Sequence, residues 1–249
     1  MSSLIPTWRN CRADIGTYAH ERSVQMFLDD VAIPSIKRID ERIAENARSE
    51  EAFALFEASD LQDLRTETLK AFCLSLQSMF ETQIRSYLCG CAEELEPHQP
   101  NMIRKLQRDP WGDVKDHFLR LRKVPFSNFS RHRDLDLLHE LGSYCRHGEG
   151  TASHKIRTDF VDFCVHVPAA PPLFPDSTGE PERYDIVVDI QDLERFTAAI
   201  VAFWSEAEWI YNNSISRKGD SLIRELKKRE EELRSRTLAK GNNAAKFGN

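Results

Sequence analysis

Arg146, His147 and Glu149 fall within four consecutive positions of the stretch "LGSYCRHGEG" (141–150), beside Gly148 and Gly150. A histidine moves protons near neutral pH. An arginine holds a phosphate through two parallel hydrogen bonds and stabilises charge that develops on it. Together they form a minimal set for metal-free RNA cleavage. A base removes the ribose 2′-hydroxyl proton, the oxygen attacks the adjacent phosphate, and the cation holds the extra negative charge. A purely local role is the simpler reading of composition and spacing. Cations in the last turn of a helix meet its dipole favourably, and His-Gly serves as a C-cap.

These residues need a helix to position them. Asp134 is a candidate N-cap and Gly148 a C-terminal stop, which predicts a helix over 134–147. Leu138, Leu141 and Cys145 form its apolar stripe, bordered by Leu137 and Tyr144. Glu140 and His147 are seven apart and share a face, with Ser143 between them. His139 and Arg146 are also seven apart, on a neighbouring line. The small residues after His147 allow a ligand or a second chain to approach the backbone closely.

Two other places carry charge of interest. Glu81 and Arg85 lie one helical turn apart and form an intrahelical ion pair on the simplest reading. Between positions 104 and 123 stand Arg104, Lys105, Arg108, Lys115, Arg120, Arg122 and Lys123, against Asp109, Asp113 and Asp116. This local basic excess reads either as a solvated helix face or as a phosphate-facing patch. Trp111 within it is either a stacking platform or a loop anchor, whereas Trp204 reads as core.

Helical periodicity dominates the rest. Positions 17–47 carry apolar residues at steps of three and four, with Pro34 expected to kink or split the helix. Positions 61–93 form the strongest segment, with Asp60 as its N-cap and Pro97 as a stop. The two read as a long antiparallel pair. A short helix near 113–122 presents Val114, Phe118 and Leu121. "VDFCVHV" (161–167) and "YDIVVDI" (184–190) read as a small hairpin around a Pro-rich loop. A helix at 192–212 follows, capped by Asp192. "DSLIRELKKREEELRSR" reads as an exposed charged helix with a fraying tail. The expected architecture is all-α with a hairpin insertion near 161–190. A main domain spans 17–212, with a charged helix and tail over 213–249.

The 249 residues carry a net charge of -6, so any nucleic-acid contact must use a local patch. No signal-like or membrane-length apolar run is present, and a cytoplasmic protein is expected. The six cysteines make no CxxC pair and read as buried or free thiols. No metal or cofactor is expected. There is no GxSxG elbow and no glycine-rich phosphate loop.

The long helix pair, "LDLLHELGSYCRHGEG" closing a helix, and "YDIVVDIQDLERFTAAIVAFW" together resemble the HEPN superfamily. "SMFETQIRSYL" (78–88) is similar to its second long helix, with Glu81 at the place where a glutamate faces the active-site helix. The resemblance covers roughly 17–212. It implies a helical bundle, a homodimer, and an RNA-directed role of the kind found in toxin–antitoxin and antiviral defence systems, with metal-independent ribonuclease activity or a protein partner. It makes His147 the base, Arg146 the phosphate clamp and Glu140 or Glu81 the orienting acid. Ser143, Glu149, Arg85, Arg120, Arg122 and Lys123 are candidate binding residues. One departure stands out. The family's ribonuclease motif places an arginine upstream of the histidine with four to six residues between them, where this chain has Glu140, Leu141 and Gly142. Only His147 carries over directly. In this the chain is similar to a branch with a His-Gly-acid-Gly signature in which nuclease activity does not follow from the fold, and a non-catalytic binding or dimerisation module is the alternative.

Overall fold

The computed structural model describes residues 6–49, 53–169 and 182–231. α1 (Tyr18–Phe27) and α2 (Ile33–Asn46) run into one another through a single wide π turn, Leu28–Ala32. Pro34 sits in the first turn of α2, so the expected kink takes the form of that π turn. Proline has no N–H to donate and its ring crowds the carbonyl four residues back, and the wider turn relieves both problems. The Ile33 N–H reaches the Leu28 carbonyl five residues back, and Ser35 Oγ donates to the Val31 carbonyl at 2.6 Å.

α3 (Ala54–Leu95) is 42 residues long, about 63 Å at helical rise. It starts earlier than its apolar periodicity predicts. Asp60 therefore lies inside the helix rather than at its cap. Asn46 bonds Glu57 and Arg65 bonds Asp40, so partners rise in one helix as they fall in the other. The pair is antiparallel, as the sequence predicts.

α4 (Pro100–Arg108) and α5 (Trp111–Arg122) brace the far end of α3. Val114, Phe118 and Leu121 of α5 are all buried. α6 (His132–His147) packs on α3 and on α8 (Ile190–Ser214), and α8 also packs on α1. α7 (Thr151–Asp159) folds back on α6. The cap of α8 is Asp189, whose side chain accepts from the Ile190 N–H; Asp192 closes the capping box from inside the first turn.

The hairpin is shorter than predicted. β1 (Val165–Val167) pairs antiparallel with β2 (Arg183–Asp185), in register Val165↔Asp185. Residues 161–163 form a 3-10 turn instead. Most of the Pro-rich loop lies outside the described residues, as does the tail from 232 onward. The chain is helical again over 220–231, and most of these residues are exposed. Arg229 donates to Ser205 of α8 through both its carbonyl and its hydroxyl.

The core is rich in rings. Phe203 of α8 meets Phe129 at 4.3 Å, Trp204 at 5.1 Å and Phe80 at 5.3 Å between centroids. Trp204 is fully buried and its indole N–H donates to Gln83 at 2.9 Å. Among the described residues no helix is long and apolar enough to cross a membrane.

Candidate functional site

α6 presents two different faces. Leu135, Leu137, Leu138 and Leu141 are buried against the bundle. Gly142 allows the closest approach: a Cβ there would lie 2.6 Å from Gln77 Cγ of α3. The helix ends at His147, and Gly148 takes a φ of 69°, which turns the chain out of the helix. Gly150 then starts α7, where Ser153 Oγ accepts from the Gly150 N–H at 2.9 Å.

The sequence-predicted residues separate into three environments. At the exit of α6, Arg146 and His147 are exposed. Arg146 Nε donates to the Gly142 carbonyl at 3.2 Å, and no hydrogen bond within the described residues engages its two terminal nitrogens or the His147 ring. Ser143 is half-buried on the same helix. Glu149 is held by Arg157 of α7 through two bonds of 2.6 and 2.7 Å. The Arg157 guanidinium, with help from Ser153, pulls the Glu149 carboxyl down to about 2.

Glu140 and Glu81 face elsewhere. Glu140 pairs with Lys155 of α7 at 2.9 Å. Glu81 pairs with Arg85 at 2.7 Å and also accepts from Gln77. Arg85 in turn donates to the carbonyls of Leu106 and Asp109, so this pair ties α3 to the α4–α5 turn.

The basic segment disperses. Arg122 is fully buried, donating to Asp14 and to the Arg9 carbonyl, with its guanidinium 3.9 Å from the Trp8 ring centroid. It anchors the N-terminal segment and is closed to phosphate. Arg120 is engaged by Glu96 at 2.7 Å and by Gln99 at 2.6 Å. Lys115 pairs with Asp136 at 2.8 Å. Lys123 is exposed and caps α5 with a left-handed φ of 58°.

A second polar surface forms where α5, α6 and α7 meet. A groove of about 370 Å³ is lined by Trp111, Lys115, Asp136, His139, Glu140 and Lys155, among others. His139 stacks on Trp111 with 5.3 Å between centroids and 15° between planes. Its Nδ1 is buried with no hydrogen-bond partner. Burial lowers its pKa, and Arg146 adds to this, against the pull of Glu81, Glu140 and Asp136. Trp111 itself is buried and its indole N–H donates to Asp136 at 3.2 Å, which makes it an anchor rather than a stacking platform. The sequence signal for this groove is the spacing Asp136, His139, Glu140, which sets three titratable groups on one helical face. Its partners Lys115 and Lys155 come from other helices, so helical spacing within α6 does not reveal them.

Among the described residues, no group of three or more His, Cys, Asp or Glu side chains is arranged to hold a metal ion. In comparisons with known proteins, no family model, no curated protein and no solved structure matches this chain.

Proposed function

We propose that the chain is an HEPN-like, RNA-directed effector that acts as a homodimer through the exit of α6, of the kind that bacterial toxin and defence systems use. One observation carries this reading. Arg146 is anchored through Nε, its two terminal nitrogens have no partner among the described residues, and the exposed His147 follows it directly. A guanidinium fixed at one nitrogen is oriented for a phosphate at the other two. The adjacent imidazole is open to the proton of a ribose hydroxyl. The test is RNA cleavage by the purified protein in EDTA, wild type beside His147→Ala, with folding matched by circular dichroism. Cleavage lost in the variant supports a metal-independent ribonuclease. Absence of both cleavage and RNA binding by the wild type sinks the reading.

A second reading is favoured by the ion pairs. Glu140 and Glu149 are both committed to α7, so neither orients His147. On this reading the corner is a non-catalytic contact surface for a second copy or another protein. Arg146→Ala then lowers the native mass of the assembly and leaves RNA untouched.

A further inference from the structure

A pocket of about 450 Å³ opens between the C-terminal half of α8, the connection from α5 to α6 and the helix over 220–231. It shares no residue with the α6 exit, and its size suits a small organic molecule. Val124, Phe129 and Ile210, all buried in the core, form apolar walls, and Trp209 adds a ring. The polar groups are few. Glu206 is already committed: its carboxylate accepts from the Ser130 N–H at 3.0 Å and from the Ser130 hydroxyl. Arg229 is committed at one nitrogen only. That terminal nitrogen donates to the Ser205 carbonyl at 3.0 Å and to its hydroxyl at 2.7 Å. No hydrogen bond within the described residues engages Arg229 Nε or its other terminal nitrogen. The guanidinium carbon lies 5.9 Å from the Trp209 ring centroid. The Trp209 indole N–H is a second donor without a partner among the described residues. Unused donors beside apolar and aromatic walls suit an acceptor group carried on a ring-bearing body.

The charges around the pocket decide the class further. Glu206 lines it, and Glu21 and Glu208 stand close to Arg229: burial raises the pKa of Glu21, Glu208 adds to this, and Arg229 opposes it. An added anion meets these carboxylates, and an added cation meets the guanidinium. We propose that the pocket binds a small, uncharged, ring-bearing molecule whose carbonyl or similar acceptor is held by Arg229. The apolar walls supply the burial, and the guanidinium fixes the orientation of the one polar end. The proposal goes beyond the RNA reading and does not rest on it.

The test titrates the full chain with prodan, an uncharged naphthalene ketone whose emission shifts to the blue in an apolar site. Anilinonaphthalene sulfonate, an anion with a similar ring body, is titrated beside it. The expected result is saturable binding of prodan at one site, with the sulfonate roughly tenfold or more weaker. Ala202 lines the pocket from α8. Ala202→Phe fills the space and is expected to abolish binding, with circular dichroism and the urea midpoint matched to wild type. Arg229→Met is expected to weaken prodan roughly tenfold by removing a charged donor. No saturable binding by wild type overturns the proposal, as does equal binding by wild type and Ala202→Phe. Sulfonate binding as tight as prodan overturns the uncharged class, and unchanged binding by Arg229→Met overturns the role given to the guanidinium. Pro6 also lines the pocket. Prodan binding that appears only after residues 1–5 are deleted would assign the pocket to the chain's own N-terminal segment and overturn the proposal. The readout needs no RNA, so a failed cleavage assay and a failed titration are separate results.

Discussion

Arg122 and Asp14 form an ion pair whose side chains are 0% and 1% exposed. The Asp14 carboxylate also accepts from the Tyr87 hydroxyl and the Cys11 N–H, each at 2.8 Å. The Trp8 and Tyr87 rings flank the guanidinium. This cluster fixes the segment before α1 against α3 and α5. Removing one member of a buried pair strands the other charge, at a cost of about 3–5 kcal/mol. Arg122→Ala is expected to lose that much stability in urea unfolding. The double variant Arg122→Met, Asp14→Asn is expected to recover part of it. A loss below about 1 kcal/mol for Arg122→Ala, the size of a surface pair, would show that the cluster does not hold the segment.

Gly142 sets the distance between α3 and α6. An added methyl group meets Gln77 Cγ at 2.6 Å and Gln77 Cβ at 3.0 Å, so the base of that side chain must shift as well as its end. Gly142→Ala is expected to cost about 1–3 kcal/mol through overpacking, despite its better helix propensity. Gln77→Ala in the same chain is expected to restore most of the loss. Equal stability of Gly142→Ala and wild type would mean that the helices separate freely here.

The long helices and much of α6 were legible in the sequence, because both follow from local rules, whereas the nine-residue helices α4 and α7 were not. Leu138 and Leu141 recur at helical spacing, and Gly148 offers the φ that stops a helix. The cap of α8 was misread by three residues, because Asp189 and Asp192 both belong to one capping box and spacing does not say which stands outside. The candidate site was less legible. Nothing local separates Arg122 from Arg120, yet the first is inside and the second outside. The difference is Asp14, 108 positions away in the chain. His139 likewise stands out only once α5 places Trp111 against it.

The Glu149–Arg157 pair clamps the turn between α6 and α7. The folded-state pKa of Glu149 lies near 2, below its ordinary 4.5. Its contribution is therefore complete above about pH 4.5 and is lost as pH falls toward 2. The carboxylate is well exposed, so solvent screening limits the pair to at most about 1 kcal/mol. Glu149→Gln is expected to be slightly less stable than wild type near neutral pH, with the gap closing on acidification through that window. A gap that persists unchanged at the acid end would assign the effect to something other than the charge.

His139 gives a pH dependence of the opposite origin. Burial against Trp111 favours its neutral form, so its folded-state pKa lies below the ordinary 6.5. As pH falls through about 6.5, the unfolded chain takes up the proton first, and stability declines until the folded-state value is reached. His139→Phe keeps a ring on Trp111 and removes the titration. Urea midpoints measured from neutral down to about pH 5 are expected to fall more steeply for wild type than for His139→Phe. The remaining histidines are common to both proteins, so the difference between the two slopes belongs to His139. Parallel slopes would mean that the folded protein protonates His139 as readily as the unfolded chain, and that the groove admits water to both ring nitrogens.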